Sequence, residues 1–427
     1  MKSSELLALL RREGIELWVE GEKLRYSAPV GAIAPALAAE LVNHKAEILR
    51  YLRGEGAIAP VSRDPTLPLS FAQERLWFLD QLEPGSTVYN MPGVFRLKGP
   101  LNVAVLKQSL NEIVRRHEAL RTTFRSVEGS PQQVVASGLT LPLPVMDLSH
   151  RCESDRENEA RRLAAEEARR PFDLSRGPLL RAILLRLHQE EHFLLLNMHH
   201  IVSDGWSMGV FFREISVLYE AYSNGKPSPL AELPIQYADY AVWQRNRLQG
   251  EVLETQLSYW EKQLEDISTL DLPTDRPRPA AQSFRGARLS LELSKELTEG
   301  LKALSRKERV SLFMTLLAAF QTLLHRYTGR DDIAVGSPIA GRNRAEIEGL
   351  IGFFINTLVL RADLSGNPTF RELLARVREA ALGAYDHQDV PFEKLVQELH
   401  PERNLNQSPL FQVMFVLQNP HTALNLE

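Results

Sequence analysis

Apolar and polar positions alternate along this chain with two periods, 2 for short strands and 3.6 for amphipathic helices. The clearest strand is Phe193 to Met198, an almost unbroken apolar run that reads as buried on both faces. It passes into His199-His200-Ile-Val-Ser-Asp204-Gly205. Trp206, Val210, Phe211, Ile215, Leu218 and Tyr222 then recur at helical spacing and predict a helix over 206–222. Further strands are expected at 94–97, 179–187, 288–293, 333–337, 354–360 and 411–417, and one is entered at Phe124. Helices are expected at 103–117, 157–170, 237–264, 294–307, 311–328, 368–387 and 392–399. Ser70 with Gln73 three residues on is a capping-box signature for another.

The pattern divides the chain. Residues 1–53 carry an α-β-β-α-α order, with a hairpin turning at Glu20-Gly21-Glu22. So small a unit buries little surface, and self-association would help it. Its hairpin edge could accept a partner segment; a small stabilising cap on the next domain is the plainer alternative. Residues 54–67 read as a linker by their Gly, Pro and Ser content. The remainder is expected to form two similar mixed lobes, 68–245 and 246–427, giving an α+β fold overall.

Composition narrows the function classes. The 427 residues carry a net charge of −4, so nothing suggests nucleic acid or an anionic membrane. No apolar run approaches a bilayer span. The single cysteine, Cys152, excludes an internal disulfide and fits a reducing cytoplasm.

Three chemistries compete at the central stretch. His199, His200 and Asp204 could hold a metal, but adjacent residues of an extended chain point to opposite faces and no further ligand set presents itself. Gly205-Trp206-Ser207-Met-Gly209 matches the G-x-S-x-G elbow of serine hydrolases, yet polar residues separate Ser207 from the strand, and no oxyanion loop is recognisable. Third, one histidine faces a cleft as base or orienter, while Asp204 caps the helix or pairs with an arginine and Gly205 lets the backbone turn close to a reacting atom.

The whole set of motifs favours the third. His199-His200-Ile-Val-Ser-Asp204-Gly205 resembles the HHxxxDG motif of nonribosomal peptide synthetase condensation domains, relatives of chloramphenicol acetyltransferase. Ser70 to Leu79, Arg116 to Phe124, Tyr237 to Gln244, Ile351 to Arg361, His387 to Leu395 and Arg403 to Phe411 resemble the family's other core motifs, in family order. Residues 1–53 are similar to TubC-type docking domains through their position, element order and the Gly14, Trp18 and Gly21 hairpin.

The resemblance implies two acetyltransferase-like lobes in a V with a tunnel between them, where an acceptor amine attacks a donor thioester. Phosphopantetheine arms of separate donor and acceptor carrier domains deliver both substrates; no cofactor or metal of the domain's own is implied. His200 would face the tunnel. His199 and Asp204 would be structural, with Arg285 in Ser283-Phe-Arg-Gly286 as Asp204's partner. Asn356, Ser207 and Trp206 are candidate tunnel positions, and Trp18, Val19, Leu24 and Tyr26 candidate docking positions for the C-terminal tail of an upstream synthase, with homodimerisation of the docking unit. The motifs look most like the type joining an L-aminoacyl donor to an L-aminoacyl acceptor, with a D-configured donor next. A non-catalytic platform that recruits a tailoring enzyme is the rival from another class. The family's domain continues some tens of residues past the seventh motif, so the end at Glu427 is expected to truncate the second lobe.

Overall fold

The computed structural model describes residues 57–64, 66–277, 286–399 and 409–418, and in the N-terminal unit residues 6, 15–20, 23–27, 35–45 and 48. In that unit, strands β1 (Glu16–Glu20) and β2 (Lys23–Ser27) form an antiparallel hairpin, followed by helix α1 (Pro35–Asn43). Leu6, Ile15, Leu41 and Ile48 make its small core, on which Leu17, Leu24 and Leu37 pack. Leu24, expected to meet a partner, is therefore partly committed to its own domain. The side chains of Trp18, Val19 and Tyr26, and most of the expected first and last helices, lie outside the described residues.

The segment read as a linker is anchored where it is described. Ile58 is buried beside Tyr237 and Phe354, and Arg63 pairs with Glu118 at 2.7 Å and Asp239 at 2.6 Å.

The first half is built on a four-stranded sheet ordered β4 (Asn90–Lys98), β9 (Glu191–His199), β8 (Leu180–His188) and β7 (Val145–Asp147). Only the β7–β8 pair is parallel. Helix α2 (Phe71–Leu82) opens with the expected capping box, with Ser70 and Gln73 bonded reciprocally. A smaller sheet joins β3 (Leu67–Pro68), β6 (Ser130–Val135) and β5 (Thr122–Val127). Helices α3 (Val103–Arg116) and α5 (Gly205–Ser223) pack against the large sheet through Leu106, Leu110, Ile113, Phe211, Ile215 and Leu218. Helix α4 (Glu153–Ala168) lies between β7 and β8 in sequence.

The helix expected over 237–264 is two helices, α6 (Tyr237–Arg247) and α7 (Gly250–Leu264), because Gln249 adopts an extended backbone between them. The second half has its own core between α7, α9 (Leu312–Thr328), α11 (Phe370–Asp386), α12 (Phe392–Leu399) and the antiparallel pair β10 (Asp332–Ile339) and β11 (Asn356–Asp363), while α8 (Lys295–Lys307) is tied to α9 by the Ser305–Thr315 hydrogen bond. A four-residue helix, α10 (Ala345–Glu348), interrupts the connection from β10 to β11.

Two expected strands fail. Residues 288–293 form no strand and pair with none among the described residues, with Leu289 97% exposed, since alternation alone supplies no ladder partner. Residues 411–417 make a single parallel bridge, Met414 to Gly336, because Phe411 turns its ring into the core over Gly336.

The two halves are not separable cores. Ile351 belongs by sequence to the second half but is buried in the core of the first. Beneath it lies a buried triad. Arg116 and His117 both bond Glu214 on α5, at 3.2 and 3.0 Å, and His117 Nδ1 accepts the Ile351 N–H. With Nδ1 an acceptor, His117 donates from Nε2. Burial opposes ionisation of Glu214, but the bonds from His117 and Arg116 outweigh it and hold the carboxyl below its ordinary value.

Glu214→Ala would leave Arg116 buried without its anion. We expect a loss of about 3–5 kcal/mol, read as a shifted denaturation midpoint. A shift under about 1 kcal/mol would show that the triad is not a folding constraint.

Candidate active site

The central stretch becomes strand, one 3₁₀ turn (His200–Val202) and helix, so the two histidines diverge at the end of β9. His199 is buried between the rings of Tyr89 and Phe172, and its Nδ1 accepts the Ile201 N–H. Burial, with the neighbouring His200, drops its pKa to about 4, so it stays uncharged near neutral pH.

His200 is half-exposed. Its Nδ1 lies 2.8 Å from the Ser203 carbonyl oxygen, which can only accept. Nδ1 therefore carries the proton in the neutral ring, and Nε2 keeps its lone pair. Phe353, from the second half, meets the ring at 4.8 Å between centroids.

Asp204 is fully buried, and its two oxygens are shared among three donors. Oδ1 accepts the Ser207 N–H at 2.8 Å, capping α5, and the Arg342 Nη2 at 3.3 Å; Oδ2 accepts the Phe354 N–H at 2.9 Å. Arg285, the expected partner, lies outside the described residues; among those described, the cation on Asp204 is Arg342. This arginine also donates to the carbonyls of Ile347 and Leu350 and to Ser207 Oγ, and its guanidinium lies 4.1 Å from the Phe354 ring centroid. Burial pulls the Arg342 pKa below its ordinary value, against the pull of Asp204.

The other expected positions divide. Ser207 is buried; its Oγ donates to the Gly352 carbonyl and accepts from Gly352 N and Arg342. A hydroxyl so occupied has no base and no access, so the serine-elbow chemistry has no geometry here. Asn356 borders the cleft, yet its Nδ2 donates to the Gln388 and Val390 carbonyls and its Oδ1 accepts from Phe392 and Thr357. Its amide braces β11 rather than a substrate. Trp206 is 46% exposed, with Nε1 donating to the Glu348 carbonyl. A Cβ on Gly205 would meet nothing within 4 Å, so the space beside it stays open. Among the described residues, no cluster of three acidic, His or Cys side chains could hold a metal ion. No described helix is long and apolar enough to cross a membrane.

Sequence reasoning missed Arg342, Phe353 and Tyr237. All three act across the halves, and the sequence offered no local cue for Arg342 beyond the glycine before it. Gly341 holds φ +63°, and a Cβ there would fall 2.0 Å from the Phe354 oxygen, so the crossing segment passes against itself. Tyr237 donates to the Phe353 carbonyl at 2.5 Å and pairs with Ser70 Oγ at 2.8 Å. A cleft of about 50 Å³ between the halves is lined by Tyr240, Trp243, Phe353, Asn356, Asp389 and Glu393.

Known proteins carry the same pattern. The condensation domain family model matches residues 64–425. This chain belongs to the condensation domain family. Residues 4–54 match the TubC N-terminal docking domain model, so the chain joins a docking unit to a condensation domain. It is 58% identical to one of the linear gramicidin synthase polypeptides of Brevibacillus parabrevis over 379 residues, which are 87% of this chain and 5% of that polypeptide. It is 50% identical to chondramide synthase of Chondromyces crocatus over 86% of this chain and 10% of that protein. The chain thus spans a small fraction of these curated relatives. Among solved structures it resembles the X-domain in complex with OxyB from teicoplanin biosynthesis, at TM-score 0.76 and 33% identity over 84% of this chain and 78% of that one. It also resembles the first condensation domain of the CDA synthetase, at TM-score 0.69 and 27% identity over 79% and 78%. The condensation domain is therefore of mixed helix and sheet in chloramphenicol-acetyltransferase-like lobes.

A histidine kept neutral by burial favours folding above its unfolded pKa, near 6.5. That contribution drains away as pH falls toward the folded value of about 4. His199 is thus expected to remove up to about 3 kcal/mol across this window. His199→Asn, whose Oδ1 can accept the Ile201 N–H, should flatten the fall in melting temperature between pH 6.5 and 4. Parallel curves for the two proteins would refute this.

Proposed function

We propose that this chain forms peptide bonds in nonribosomal peptide synthesis. The observation that carries the reading is the free Nε2 of His200, half-exposed at the end of β9 beside the segment crossing from the second half. A carrier-bound aminoacyl acceptor presents its amine to a carrier-bound donor thioester. The nitrogen attacks the carbonyl carbon, a C–N bond forms and the C–S bond breaks. His200 Nε2 takes the proton shed by the nitrogen and returns it to the departing thiolate. Positioning both arms supplies much of the rate. The phosphopantetheine arms belong to donor and acceptor carrier domains, the reaction is cytoplasmic, and the motifs favour an L-configured donor and acceptor. We divide the chain into docking unit 1–53, linker 54–67 and lobes 68–245 and 246–427. The docking unit binds the tail of an upstream synthase and pairs with a second copy.

The likeness to the X-domain in complex with OxyB supports a second reading, a non-catalytic platform that recruits a tailoring enzyme to a carrier-bound peptide. Loaded carriers distinguish the two. Wild-type chain should yield amide, and His200→Ala should lower its rate by about 10²–10⁴-fold with the melting temperature unchanged. Undiminished turnover removes His200 from the mechanism. Carrier binding with no amide from any loaded pair favours the platform.

Deleting residues 1–53 should weaken transfer from a separate upstream synthase by roughly tenfold or more, at protein concentrations below the docking affinity. Equal rates with and without the unit would retire its docking role.

A further inference from the structure

Among the described residues, the His200 imidazole makes one hydrogen bond, from Nδ1 to its own turn at Ser203. A single bond leaves an imidazole free to tilt about it. Phe353 supplies the second constraint, with its ring 4.8 Å from the imidazole at 63° between planes.

Phe353 is itself fixed from several sides. Its carbonyl accepts from Tyr237, whose hydroxyl is bonded by Ser70. Ser70 caps the helix that carries Gln73, and Gln73 Nε2 donates to the Ile201 carbonyl, next to His200. The residues on either side of Phe353 are pinned to the first half. The Gly352 carbonyl accepts from Ser207 and the Phe354 N–H donates to Asp204. A Cβ on Gly352 would come within 2.0 Å of the Tyr237 ring, so this strand of the network has no slack. The bonds from Ile201 through Gln73, Ser70 and Tyr237 to Phe353, with the Phe353–His200 ring contact, close a loop around His200.

The geometry points to Phe353 as a positioning residue for His200: its ring, clamped through Tyr237, sets the direction of the imidazole. Phe353 also lines the cleft between the halves. A group that enters that cleft meets Phe353, so occupancy of the cleft and imidazole geometry are coupled. This rests on the condensation reading of the site.

The test compares Phe353→Leu, Phe353→Tyr and Tyr237→Phe in the full chain. Two readouts are used: amide formation from loaded carriers, and the ring-nitrogen resonances of His200, assigned through the His200→Ala spectrum. In Phe353→Leu, kcat should fall about 10- to 100-fold with KM for the carriers nearly unchanged. The His200 resonances should move from a fixed Nδ1–H tautomer toward an averaged one. Phe353→Tyr, which keeps the ring, should recover most of the rate and the wild-type resonances. Tyr237→Phe, which keeps the packing and loses only the clamp, should show a weaker form of the same spectral change.

Unmoved His200 resonances in Phe353→Leu or in Tyr237→Phe would overturn the inference. So would equal losses of rate and melting temperature in the Leu and Tyr variants, the mark of a merely structural residue. If the wild-type chain itself makes no amide, the condensation reading falls, and the resonances still decide whether Phe353 orients His200.

Discussion

The Asp204–Arg342 pair is the constraint on which the site depends. Both side chains are removed from water, with 0% and 1% of their surface exposed. Two charges placed there cost several kcal/mol each unless hydrogen bonds compensate, and all but the Arg342 Nε–H find such partners. The partners found are structural landmarks: the first turn of α5, the backbone at Phe354 and the carbonyls of Ile347 and Leu350. The pair therefore ties the histidine-bearing turn of the first half to the segment arriving from the second. Apolar packing of the same volume could bring these surfaces together, but it would not specify where the backbone at 352–354 stops.

Two further links reinforce that choice. Below the pair, His117 receives the Ile351 N–H while bonded to Glu214. Above it, Tyr237 holds the Phe353 carbonyl. Backbone groups of all four residues from 351 to 354 are thus bonded by polar side chains of the first half: His117, Ser207, Tyr237 and Asp204. Ile351 then fills the first core, and Phe354 packs against Tyr237 and Tyr240. The chemistry can be sparse because the scaffold is this rigid: one half-buried imidazole with a defined tautomer, against Phe353, which lines a cleft between the halves.

Legibility followed the range of the interactions. The helix after Gly205, the capping box at Ser70 and the apolar strand ending at His199 were readable because their signals are local. The 288–293 segment and the single bridge at Met414 were misread because a strand exists only with its partner, and alternation does not name one. The same limit applied to side chains. Ser207 and Asn356 looked available for substrates, yet their polar atoms are spent on backbone groups 145 and 32–36 residues away. Arg342 gave no local sign, since its partners are 135 and 138 residues earlier.

The sequence by itself determined the family, the order of the motifs and the type of chemistry, because these are carried by residue identities at short spacing. It also set that only one of the adjacent histidines could face a cleft, a consequence of strand geometry. The tertiary structure decided which groups remain free. It buried His199 as a neutral acceptor, consumed the hydroxyl of Ser207, gave Asp204 to Arg342 and left Nε2 of His200 open beside Phe353. The outcomes at Ser207 and Asp204 depend on donors and acceptors supplied from more than a hundred residues away, and no local pattern encodes their meeting.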